Sequence, residues 1–80
     1  MPRYFFDVHE DGNIQRDEDG VECATLKAAI MQAKRVLPAI AIDEVPRDGD
    51  HKNYMVVVTD KDGRAVYTAA LAFVGTRLIR

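Results

Sequence analysis

Tryptophan is absent from the 80 residues, and cysteine occurs once, as Cys23. A lone cysteine excludes an internal disulfide, the staple on which most small secreted domains depend, and so predicts a reducing, cytoplasmic setting. Long apolar runs are also missing. Nothing approaches the roughly 20 residues of a membrane-spanning helix, and the opening Met1-Pro2-Arg3-Tyr4-Phe5-Phe6-Asp7 lacks the apolar core of a signal peptide. No membrane partner is expected. Positive charge is not in surplus: 11 Lys and Arg stand against 13 Asp and Glu, for a net charge of −2. Nucleic-acid binders normally carry a basic excess that displaces counterions from phosphates, so this balance argues against that class. The five glycines are scattered singly, and no Gly-rich phosphate loop can be drawn through them.

What remains is an ordinary globular balance, 48% hydrophobic and 30% charged, too apolar for a disordered tail. The length allows one domain, residues 1–80. A chain this short buries only about 60–65% of its unfolded surface, so the core is thin. Tyr4, Phe5, Phe6, Tyr54, Tyr67 and Phe73 supply all the large aromatic area.

The pattern predicts an α+β fold in the order β-β-α-β-β, a mainly antiparallel four-stranded sheet with one long helix on one face. Arg3 to His9 reads as a strand, with Tyr4, Phe6 and Val8 on one face and Arg3, Phe5, Asp7 and His9 on the other. Glu10-Asp11-Gly12-Asn13 reads as a turn and Asn13 to Asp17 as a short return strand. Val21 to Ala24 reads as a connector. Thr25 is placed to cap a helix. Beyond it, Leu26, Ala29, Ile30, Ala33, Val36, Leu37, Ile40 and Ala41 share one face at helical spacing. Pro38 lacks the N–H that would reach Lys34, which predicts a kink or a break, and Pro46 is expected to end the segment. Arg47 to Asn53 reads as a polar loop. Tyr54 to Thr59 and Arg64 to Val74 read as strands joined by the Asp60-Lys61-Asp62-Gly63 turn.

One helix covers one face of a four-stranded sheet. The last two strands are nonetheless apolar on both faces: Met55 and Val57 oppose Tyr54, Val56 and Val58, and Ala70 opposes Leu71. Uncovered apolar surface of this kind marks interfaces. Phe5, Met55, Val57 and Ala70 are therefore the interface candidates, and a homodimer or a protein partner held through the sheet is expected. The competing expectation is that Gly75 to Arg80 folds over that face.

The hexapeptide Met1 to Phe6, the turn Asp11-Gly12 and the stretch Arg16-Asp17-Glu18-x-Gly20-Val21-Glu22 resemble a family of short bacterial proteins of unknown function. Those proteins open with M-P-R-Y-[FY]-F and continue with a D-G turn. The resemblance extends through the alanines at 28, 29 and 33 to Asp60-x-Asp62-Gly63-Arg64. It implies a small cytoplasmic α+β domain and no assigned activity, so no functional residue carries over. Pro38 and the tail Gly75-Thr76-Arg77-Leu78-Ile79-Arg80 depart from the family pattern.

Several motifs invite chemistry. Removal of Met1 would leave Pro2 as an N-terminal secondary amine, the general base of small tautomerases. Their strand order differs from the one read here, and only Arg3, Arg77 and Arg80 could serve as site arginines. The bland reading is that Pro2 opens an edge strand. Asp11, Asn13, Gln15, Asp17, Asp19 and Glu22 have calcium-loop spacing, but Arg16 stands where the loop needs Gly. His9 with Asp7 offers two zinc ligands where three or four are needed, and His51 is remote in sequence. Cys23 beside Glu22 lacks the electropositive setting of a nucleophile. Lys27, Lys34 and Arg35 form a charged outer helix face, the normal solvated state. No catalytic set, metal site or cofactor motif emerges. A non-enzymatic interaction module is the leading expectation, with a Pro2-dependent tautomerase and a nucleic-acid-contacting regulator behind it.

Overall fold

A computed structural model describes residues 2–78. Its elements are β1 (Arg3–Glu10), β2 (Asn13–Gln15), β3 (Val21–Glu22), α1 (Leu26–Asp48), β4 (His51–Thr59) and β5 (Ala65–Val74). Every strand pairing is antiparallel, and the sheet runs β2-β1-β4-β5 with β3 also on β1. The expected α+β architecture is present, with β3 as a fifth, two-residue strand where a connector was expected.

The β1–β2 hairpin closes over two residues, since Glu10 faces Asn13. Asp11 has φ 45° and Gly12 φ 90°. Positive φ at both central positions is the type I′ turn, whose twist matches that of paired strands. β4 and β5 are joined by a turn held by one aspartate. Asp60 Oδ1 accepts from the N–H groups of Asp62 and Arg64 at 2.9 and 3.0 Å. Gly63 there has φ 81°.

Thr25 caps α1, its hydroxyl accepting from the Ala28 N–H at 3.1 Å. The helix runs without a break through Pro38 and ends beyond Pro46. Two prolines within 23 residues remove two intrahelical bonds. The packed stripe Ala29, Ala33 and Leu37 lies ahead of the first of them, and Ile40, Ala41 and Val45 join the core after it. Helical stability of this kind comes from tertiary packing more than from propensity.

The core is α1 against one face of the sheet. Ala29, Ala33 and Leu37 are buried with Phe6, Tyr54, Val56 and Val58, and Cys23 closes one end. The small alanines bring the helix close to the β-branched sheet surface. Tyr4, Val8, Tyr67, Ala69 and Leu71 complete that face from β1 and β5. Leu26, expected on the same helix stripe, remains exposed in the first turn. No helix among the described residues is long and apolar enough to cross a membrane.

Candidate functional site

Cross-strand partners share a face in an antiparallel sheet, so the register assigns the face away from α1. Asp7 pairs with Val57, His9 with Met55, and Phe5 with Thr59. Met55 faces Ala70 and Val57 faces Thr68 on β5. Ile14 of β2 joins through His9. The four residues expected at an interface, Phe5, Met55, Val57 and Ala70, thus lie together on the uncovered face. Ile14 is 51% and Met55 36% exposed. The described part of the C-terminal segment does not cover them: Leu78 is 88% exposed. Ile79, Arg80 and Met1 lie outside the described residues.

A second unpartnered surface is the outer edge of β5. Gly75 donates its N–H to the Asp50 carbonyl at 2.7 Å, which fixes the alternation of the β4–β5 ladder. Phe73, Leu71, Ala69 and Tyr67 bond inward to β4. Thr68, Ala70, Ala72 and Val74 then turn their N–H and C=O groups outward. Ten residues of this strand carry no charge and no proline. Its one irregularity is a register shift opposite Val58 and Thr59.

The other edge is treated differently. β1 is flanked by β2 at Val8 to Glu10 and by β3 at Arg3 and Tyr4. Between them the Phe6 N–H has no strand to bond, and Asp17 Oδ2 accepts it at 3.1 Å. Asp17 Oδ1 takes the N–H groups of Asp19 and Gly20 at 3.3 and 3.0 Å. The Asp17 N–H in turn donates to Asp7 Oδ1 at 2.9 Å. Gly20 packs on β1 so closely that a Cβ would stand 2.8–2.9 Å from Arg3 Cγ, Phe5 Cε2 and the Tyr4 carbonyl. Arg3 donates to the Asp19 carbonyl at 2.7 Å and pairs with Glu22 at 3.2 Å. The acidic run therefore has structural work. Asp17 spends both oxygens on backbone N–H groups, and Asp11 pairs with Lys52 at 3.4 Å. Among the described residues no three His, Cys, Asp or Glu side chains group as metal ligands.

The remaining candidates are dispersed. Pro2 accepts the Cys23 N–H at 3.0 Å through its carbonyl, and it lines a groove with Arg3, Tyr4, Asp60, Lys61 and Asp62, so of the three candidate arginines Arg3 lies beside it. Arg77 follows β5 at the far end of the sheet, about 33 Å of strand from the Asp60 turn beside Pro2. His51 lies four residues along β4 from Met55, the partner of His9, so roughly 13 Å separates the two histidines.

One charged cluster escaped sequence reading. Lys52 bonds Glu10 Oε2 at 2.9 Å and lies 5.7 Å from the Tyr54 ring centre. Lys52 and a hydrogen bond from Glu44 of α1 hold the Glu10 carboxyl below its usual pKa. The signal was parity: Lys52 shares its face with Tyr54, Val56 and Val58. Reading 47–53 as a loop concealed it.

Comparison with curated proteins and with solved structures returned no match. A family model described as a domain of unknown function, DUF6894, matches residues 3–72. That span takes in every strand but the last two residues of β5, the whole helix and the Asp17 loop, and the chain belongs to the DUF6894 family.

Proposed function

We propose that this chain is a non-enzymatic, cytoplasmic interaction module that works through its sheet, either by self-association or by holding a protein partner there. The observation that carries the reading is the half-covered sheet. Among the described residues, one face, with Phe5, Ile14, Met55, Val57 and Ala70, has no layer over it, and β5 is paired on one side alone. The dispersal of Pro2, Arg77 and the histidines supports a non-catalytic role. Light scattering of the purified chain over a range of concentrations tests it. A mass of twice the 9.0 kDa chain or more supports self-association. A monomer throughout removes self-association and leaves only a heterologous partner.

A further inference from the structure

The sheet offers two surfaces, and they are not equivalent. The open face is broken by Asp7, His9, Asn53 and Thr68 among its apolar residues. The outer edge of β5 presents backbone groups of Thr68, Ala70 and Ala72 that an added strand satisfies in register. Long uncharged edges are the sites where sheets take up a further strand, and proteins that do not use them blunt them with lysine, proline or bulges. The edge by itself fits many strands. The flank of α1 beside it narrows the choice.

α1 packs on β4 and β5, and the chain reverses at Gly49 and Asp50 between α1 and β4. β4 and β5 are antiparallel, so α1 runs in the same direction as β5. Ala33, Lys34, Leu37 and Pro38 form a groove of about 180 Å³ with Ala69, Ala70 and Leu71, which fixes the helix flank that overlooks the edge. Lys27 precedes Lys34 by two helical turns, and at about 100° per residue it lies within about 20° of it, on the same flank. Both lysines are exposed, and neither has an ion-pair partner among the described residues. From Leu26 to Ile42 the helix carries Lys27, Lys34 and Arg35 and no Asp or Glu. An apolar groove and an unneutralised cationic flank thus meet beside unpaired backbone.

We propose that the β5 edge binds an extended acidic segment of a partner protein, which adds antiparallel as a further strand, sets an apolar side chain in the groove opposite Leu71, and places carboxylates two and four residues later against Lys34 and Lys27. The inference rests on the reading of the sheet as a docking surface and names the edge and the partner's chemistry. Strand parity supports it. Ala70 exchanges bonds with the residue opposite, whose side chain joins the open face, so the residues opposite Leu71, Ala69 and Tyr67 point towards α1. Because α1 and β5 run together, Leu37 and Pro38 stand at the Leu71 end of the groove, Lys34 stands about one turn back, and Lys27 lies further towards Tyr67. The two lysines are about 10 Å apart along the helix, and helix-facing residues of a strand recur about every 6.6 Å. Two successive carboxylates therefore fall within reach of the flexible lysine stems. Charge favours this occupant over a second copy. β5 has no Asp or Glu, and pairing two β5 strands brings two sets of Lys27 and Lys34 together. In such a complex the main-chain bonds supply affinity, and the groove and lysines supply specificity.

The test is fluorescence anisotropy of the full chain with a labelled, end-blocked heptapeptide, Thr-Thr-Val-Thr-Glu-Thr-Glu, whose valine and glutamates share one face of a strand. The peptide is expected to bind. Lys34→Glu is expected to weaken it about 5- to 10-fold, and a peptide with lysine in place of both glutamates is expected to prefer the variant to the wild type. N-methylation of the threonine between valine and the first glutamate, the residue opposite Ala70, removes a ladder bond without touching the protein and is expected to weaken binding about 10-fold or more. The double variant Met55→Asp/Val57→Asp, on the open face, is expected to bind unchanged. No binding up to about 1 mM peptide overturns the inference, as does binding indifferent to both Lys34→Glu and the N-methyl group. If either result comes with a light-scattering dimer that Met55→Asp/Val57→Asp dissolves, the inference falls and the proposed function stands on the open face. A silent peptide with a monomer at every concentration overturns the inference and confines the proposed function to a different protein held on that face.

Discussion

Replacing Gly20 with alanine tests the reading of the Asp17 loop most directly. Gly20 has φ 72°, where an L-residue costs about 1–2 kcal/mol. The new methyl would also stand 2.8 Å from Arg3 Cγ, 2.9 Å from Phe5 Cε2 and 2.9 Å from the Tyr4 carbonyl. The last of these is backbone inside β1 and cannot swing away, so overpacking adds about 1–3 kcal/mol. The total is about 2–5 kcal/mol. An 80-residue domain holds about 4–12 kcal/mol, so the loss is a large share. At about 4–8 °C per kcal/mol, the melting temperature falls by about 8 °C or more. The control is Gly12→Ala, at φ 90° with nothing within 4 Å of the added carbon, where only the backbone cost applies. Thermal melts followed by far-UV circular dichroism, at one fixed protein concentration, compare the two. Equal losses for Gly20→Ala and Gly12→Ala would show that the loop does not press on β1 and would refute this account of the loop.

Other perturbations follow from the same contacts. Asp17→Ala leaves the N–H groups of Phe6, Asp19 and Gly20 without their acceptor and is expected to cost about 2–4 kcal/mol in urea denaturation, with Asp17→Asn costing less because one oxygen remains. Thr25→Ala removes the helix cap and is expected to cost about 1 kcal/mol by the same assay. Glu10 is held below its usual pKa first by Lys52, so its stabilising effect is present above the unfolded carboxylate value, about pH 4–5, and is lost as pH falls through the lowered folded value. Glu10→Gln should flatten the acid limb of a stability–pH curve; an unchanged limb would show that the Lys52 contact is not felt in solution.

Much of the fold was legible because apolar spacing is a strong signal. The 3.6-residue stripe from Ala29 to Ala41 and the period-2 runs around Tyr54 and Tyr67 read true, as did the Asp-Gly turns and the Thr25 cap. What was not legible followed from local signals overridden by packing. Pro38 argued for a kink or a break and Pro46 for the helix end, yet sheet contacts on both sides of Pro38 carry the helix through without a break, and it ends two residues after Pro46. Val21 and Glu22 are too few to show a period and become a strand only because β1 has open bonds beside them. His51 to Asn53 look like loop residues until β5 pairs with them. The open-face residues were found by counting faces. The β5 edge was not separable from that face in sequence, because strand order decides which strand lies outermost.

The unequal edges also limit how an assembly can grow. β1 is closed along its outer side by β2, the Asp17 carboxylate and β3, and β2 beyond it is only three residues long. Among the described residues, β5 is therefore the one long edge left able to add a strand. Units with a single such valence form closed pairs and cannot propagate into fibres, whereas a second open edge would make the same apolar β5 a seed for indefinite sheet extension. The loop that fills a gap beside Phe6 is in this sense a terminator, and weakening it is a route to polymer as well as to unfolding.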